Sequence, residues 1–214
     1  MPTQLVERQR PGSPLRGLGG RGRGPSGGGA APGREPAPVG TGLLGVAAFL
    51  AAVTMLFLAF TSAYLVRRQE TGWVEFAAPW VLWLNTAVLL SSSVTLDWAR
   101  RRIRSGDVAG LRRGVEATAT LGLLFVLGQV VAWRQLAAQG LFLTTNPHSS
   151  FFYVLTAVHG VHLLGGIAAL ALVLVGTWSG RYTAQNHAGI TNCATYWHFM
   201  ALLWVYLFVL LFWV

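Results

Sequence analysis

The chain has no lysine and a single cysteine, Cys193, among its 214 residues. One thiol closes no internal disulfide, so the compartment is not set by cysteine usage. Charge is scarce as well: 11% of the residues are Asp, Glu, Lys or Arg and 53% are apolar, against about 25% charged in a soluble domain. Most of this chain is therefore not built to face water. The sequence also lacks a P-loop, a G-x-G-x-x-G after a strand and a G-x-S-x-G elbow, which argues against the phosphate, dinucleotide and hydrolase chemistries that those motifs serve. No nucleophile stands beside a base.

The basic residues that are present are all arginine, sixteen against seven acids, for a net charge of +9. Such an excess suits nucleic acid or an anionic membrane surface, and its distribution decides between them. Residues 1–40 hold seven of the nine prolines, eleven glycines and six arginines. A segment with so few large apolar side chains cannot offset its ordering entropy, so 1–40 is expected to be a disordered cytoplasmic tail. It has no apolar h-region and is not expected to be a signal peptide. Arg21-Gly-Arg-Gly24 is one short RGG-like fragment; a basic tail near anionic lipid accounts for it better than RNA, and no nucleic-acid partner is expected.

From Thr41 the composition reverses. Five apolar runs follow, at about 41–66, 78–99, 114–136, 151–178 and 190–214. Each exceeds the ~20 helical residues that cross ~30 Å of hydrocarbon. In lipid the backbone must satisfy its own hydrogen bonds, so the expectation is an all-α bundle of five transmembrane helices over 41–214. Trp73, Trp80, Trp133, Trp178 and Trp213 lie near the run ends, as interfacial belts require. With the N-terminus inside, the loops put seven arginines inside and three outside. The positive-inside rule then places the N-terminus inside and the C-terminus outside, in a cytoplasmic membrane.

Polar residues inside such spans are functional candidates by default. His159 and His162 share a face of the fourth run, and His198 lies in the fifth. Counting along antiparallel helices puts His162 about 16 Å from one surface and His198 about 12 Å from the other, so that the two could meet near mid-membrane. Bis-histidine haem ligation, as in a small b-type electron carrier, is the sharp reading. The plainer reading is neutral imidazoles hydrogen-bonded across a helix interface. No second histidine pair and no deep carboxylate accompanies them, which favours structure over haem, metal or proton relay. Asn85, Thr86, Ser92 and Ser93 form a polar stripe on the second run, and Gln129 sits in the third. Gly165 and Ala169 form a small-xxx-small pair with Gly160 and Gly166 nearby, a pattern that lets helices approach closely. A transporter reading lacks inverted repeats, broken helices and deep charges.

The fourth and fifth runs carry ordered motifs. Phe151-Phe-Tyr-Val-Leu-Thr-Ala-Val-His-Gly-Val-His-Leu-Leu-Gly-Gly166 closely resembles the F-Y-x-L-T-G-x-H-G-x-H-x-x-x-G signature of cytochrome c oxidase subunit III. Tyr196-Trp-His-Phe199 with Trp204, Trp83-Leu-Asn-Thr86 with Ser91-Ser-Ser93, and Tyr64 with Met55 and Phe57 resemble its other helices, over 41–214 in all. The chain is similar to the short five-helix bacterial form. The lipid-filled cleft of longer members needs two further helices. Two departures stand out: Val53 and Ala132 occupy positions where many members carry glutamate, so no role of those acids carries over.

The resemblance implies a non-catalytic subunit of a respiratory haem-copper oxidase, with cytochrome c, or alternatively quinol, as donor; the accessory protein of a nitric oxide reductase is the related alternative. It implies haems and copper in the partner subunits I and II and no cofactor in this chain. Packing on subunit I, contact with membrane lipids, support of proton uptake and longer turnover life are further implications. Histidines His159, His162 and His198, with Asn85, Ser92, Gln129, Gly165 and Gly166, are assigned to helix interfaces.

Overall fold

A computed structural model describes residues 40–214; the expected disordered tail lies outside the described residues but for Gly40. Five helices follow: α1 (Thr41–Arg67), α2 (Trp80–Arg104), α3 (Val108–Ala138), α4 (Pro147–Trp178) and α5 (Ala188–Trp213). The described residues contain no strand. α3 and α4 start earlier than the apolar runs suggested because polar residues begin them. The Asp107 side chain accepts from Gly110 N at 2.7 Å. Asn146 and Ser149 form a capping box around Pro147 at the first helical position, a strong start signal.

The helix ends are equally local. After α3, Gly140 has φ +78°, Leu141 N bonds to Leu136 O and Gly140 N to Ala137 O. Gly180 and Gly106 repeat this Schellman pattern after α4 and α2. A left-handed residue there satisfies carbonyls that the helix leaves open, and glycine adopts it without a Cβ clash.

Cross-helix pairs fix the directions. Ala99 meets Gly114 while Asn85 meets Gly128, so α2 and α3 are antiparallel. Ser92 meets Trp197 and Thr86 meets Trp204, so α2 and α5 are antiparallel too. α1 runs parallel to α5: Gly42 faces Asn192 and Thr61 bonds to Tyr206. Thr41 and Trp213 thus lie at opposite ends of the bundle. α5 is the most enclosed helix, whereas α1 packs only on α4 and α5 and leaves most of its surface open.

Four helices are long and apolar enough to cross a membrane; α2 is the exception. Its 25 residues span about 37 Å, which is ample. Its apolarity is diluted by Asn85, Thr86, Ser91, Ser92, Ser93, Thr95 and Asp97. Asn85 and Ser92 are buried inside the bundle. The hydroxyls of Thr86, Ser91 and Ser92 donate to carbonyls within α2. The five expected helices are present; four carry an apolar stretch of membrane-spanning length, and α2 is a less apolar one with Asn85 and Ser92 turned into the bundle.

Small residues let α2 and α3 touch. A Cβ at Gly128 would sit 2.2 Å from Asn85 Oδ1, and one at Gly114 would sit 2.5 Å from the Ala99 Cβ. Asn85 is also held by its 3.0 Å bond from Nδ2 to Phe125 O. Gly128→Ala is predicted to displace Asn85 and destabilise the bundle by about 1–3 kcal/mol, as loss of a buried hydrogen bond does. Adding Asn85→Ala should recover part of that loss, read as denaturant resistance in detergent. Strict additivity of the two changes would show that Gly128 acts elsewhere.

Candidate functional site

Motif segments far apart in sequence meet on one line through the bundle. Trp197 of α5 donates from Nε1 to Ser92 Oγ of α2 at 2.9 Å. Its ring lies where a Cβ on Gly122 would come within 2.6 Å and one on Gly166 within 3.1 Å. About two turns on, Trp204 Nε1 donates to Thr86 Oγ1 at 2.9 Å. The Tyr196 hydroxyl donates to His162 O of α4 at 2.7 Å. Each bond joins a ring long enough to reach the next helix with a hydroxyl or carbonyl oxygen there, and so pairs an N–H or O–H that would otherwise lie unsatisfied in an apolar medium.

The three histidines part company. His159 is fully buried, with Phe125 and Trp204 ring centroids 6.1 and 5.3 Å away. Among the described residues neither of its ring nitrogens has a hydrogen-bond partner, and neither side-chain amide atom of Gln129 has one. His162 Nδ1 donates within its own helix to Val158 O at 2.8 Å, and its ring faces Phe49 and Phe57 of α1. His198 lines a cleft of about 400 Å³ with Ser93, Asp97, Trp98 and Arg101 of α2. Tyr196, two residues before it, points toward His162. At 3.6 residues per turn, those two α5 side chains diverge by about 160°.

The meeting of His162 and His198 that their depths allowed does not occur: they face different neighbours, α1 and α2, because of their positions around their helices. Among the described residues none of the three imidazoles forms a hydrogen bond across a helix interface. The rings of His162 and His198 are not turned toward one another, as bis-histidine ligation of a haem between them requires. Among the described residues no group of three or more His, Cys, Asp or Glu is placed to hold a metal ion. Asp97, close to the end of the expected span, pairs with Arg100 at 2.9 Å and Arg101 at 2.7 Å beside His198.

Asn85, Ser92, Gln129, His159 and Gly166 all lie buried between helices. Gly165 lines an open groove with Ala169, Phe49 and Tyr196, while Gly160 has open space where a Cβ would be. Sequence reasoning missed the α3 surface: Gly114, Thr118 and Gly122 recur every four residues, and Thr118 bonds to Thr95 at 2.8 Å. It also passed over Trp133 Nε1, which donates to Thr156 Oγ1 at 3.1 Å. His148 was missed as well. Its Nε2 pairs with Leu211 O at 2.9 Å, and its ring stacks on Trp73 at 5.0 Å. The Asn146-Pro147 start signal was the available clue that His148 belongs to the helix.

This is a multi-pass helical membrane protein with tryptophan-to-hydroxyl ties at its centre. The family model for cytochrome c oxidase subunit III matches residues 28–214, beginning ahead of Thr41. Cytochrome c oxidase subunit 3 of Synechocystis sp. is 35% identical over 182 residues, covering 79% of this chain and 74% of that protein. That of Thermostichus vulcanus is 35% identical over 181 residues, covering 79% and 86%. The probable cytochrome c oxidase subunit 3 of Mycobacterium tuberculosis is 31% identical over 176 residues, covering 80% and 87%. The chain belongs to the cytochrome c oxidase subunit III family.

Two substitutions separate bonded from unbonded core groups. Trp204→Phe removes the donor to Thr86 and is predicted to cost about 0.6–1.7 kcal/mol, the range for hydrogen bonds between membrane helices. Gln129→Leu removes buried polar atoms that have no partner and should leave stability unchanged or raise it. Thermal retention of the folded protein in detergent reads both. A large loss with Gln129→Leu would show that the amide has a partner.

Proposed function

We propose that this protein is the non-catalytic third subunit of a respiratory haem-copper oxidase, lying in a bacterial cytoplasmic membrane and packed on the subunit that carries the haems. The family match over residues 28–214 carries this reading. The motif residues support it by their use, since Trp197, Ser92, Trp204 and Thr86 bond to one another across helices. Side chains spent in this way shape a scaffold. Electron transfer and oxygen reduction belong to the partner subunits, and this chain contributes by keeping proton uptake and the metal centres stable through turnover. Within it, 41–214 acts as one transmembrane domain, 1–40 as a cytoplasmic tail, and the buried site residues as interface positions.

Deletion of the gene is predicted to leave initial oxygen consumption of the purified oxidase nearly intact. Proton uptake should slow at high pH, and activity should decay sooner during turnover. An unchanged turnover lifetime together with unchanged assembly and pumping would refute the accessory role.

The topology we infer has Thr41 inside and Val214 outside. It is supported by the opposite placement of the two ends and by the loop arginines, seven at the end where α2 meets α3 and three at the other. A reporter fused after Val214 should be active outside only, and one fused ahead of Thr41 inside only. Both active on the same side would mean that one helix, α2 first, does not cross.

A further inference from the structure

At the end of the bundle that holds Arg67, Arg68 and Arg134, the first two arginines are paired: Arg67 with Glu70, and Arg68 with Glu75 at 3.1 Å. The other described acids, Asp97, Asp107 and Glu116, pair with arginines at the opposite end. Among the described residues Arg134 has no acidic partner. It lines a groove of about 540 Å³ between α3 and α4, together with Trp133, Ala137, Phe142, Leu143, Tyr153 and Ala157.

Nothing else in this groove offers a free polar group. The Tyr153 hydroxyl donates to Leu141 O at 2.9 Å, and Trp133 Nε1 donates to Thr156. Phe142 and Leu143 belong to the connection between α3 and α4, yet they remain 55% and 49% exposed. Apolar side chains displayed from a loop at a helix end fit the headgroup boundary of a bilayer, where a tryptophan and a tyrosine also belong. Small residues, Ala137 and Ala157, open the space between the two helices. The groove is thus an apolar channel with the stem of the exposed Arg134 in its wall, and the guanidinium that this stem carries can grip phosphate oxygens through two parallel N–H donors.

We propose that this groove is a binding site for an anionic phospholipid, one acyl chain lying between α3 and α4 and the phosphate on Arg134. A protein segment would fill the apolar part as well, but the unpaired charge at its end selects a lipid headgroup. The inference does not depend on which oxidase, if any, the chain serves.

The test uses the full chain with whatever subunits co-purify, delipidated in mild detergent and titrated with phosphatidylglycerol or phosphatidylcholine under native mass spectrometry. Phosphatidylglycerol should be retained about fivefold better, the advantage that one arginine contact with anionic lipid supplies. Arg134→Gln should abolish that preference and Arg134→Lys should keep part of it. Ala157→Phe, which fills the groove, should lower retention of both lipids. Equal phosphatidylglycerol retention by the wild type and Arg134→Gln would overturn the proposal. So would full displacement by inorganic phosphate, which needs no groove, or exclusion of lipid by a co-purifying subunit seated on α3 and α4.

Discussion

The indole of Trp197 holds the bundle in register. Its ring occupies the space left by the missing side chains of Gly122 on α3 and Gly166 on α4, and its N–H reaches Ser92 on α2. Three helices, α2, α3 and α4, are therefore placed by one side chain of α5. In lipid there is little hydrophobic gain in bringing helices together, because acyl chains are as apolar as leucine. Close contact and polar bonds between helices must supply specificity, and both converge on this residue. Moving α5 by one turn would bring Trp197 against different residues and leave its N–H donor to find another partner.

The less apolar α2 depends on that arrangement. Alone it is a poor membrane span, with seven polar residues from Asn85 to Asp97. Packed, Asn85 bonds to Phe125 O, Thr86 receives Trp204, Ser92 receives Trp197 and Thr95 meets Thr118. Each bond lowers the cost of a polar group that lipid would penalise. The family signature can thus be understood in part as a set of lengths and bonds: small residues where an indole must pass, hydroxyls where it must end.

Other polar groups take no part in these ties. His159 and Gln129 are buried on adjacent helices without partners among the described residues. The charged residues keep to the two ends, with Asp97 and Arg101 beside His198 at one and Arg134 on the α3–α4 groove at the other. A scaffold of this kind keeps its centre neutral and its charges at the two ends of the bundle.

Composition by itself determined that the chain is helical and built for lipid, since runs of more than twenty apolar residues leave the backbone no other way to bond. Short-range signals account for the helix ends that the apolar runs left out: Asn146-Pro147 begins α4, and Gly106, Gly140 and Gly180 end three helices, because caps involve only neighbouring residues. What faces what was decided by tertiary packing alone. His162 and His198 seemed able to meet when counted by depth, yet depth fixes only a position along an axis. Rotation about each helix sets the rest, and it depends on which side chains of four other helices leave room. Gly122 opposite Trp197 and Gly128 opposite Asn85 set those rotations, and no periodicity within one helix reveals its partner on another.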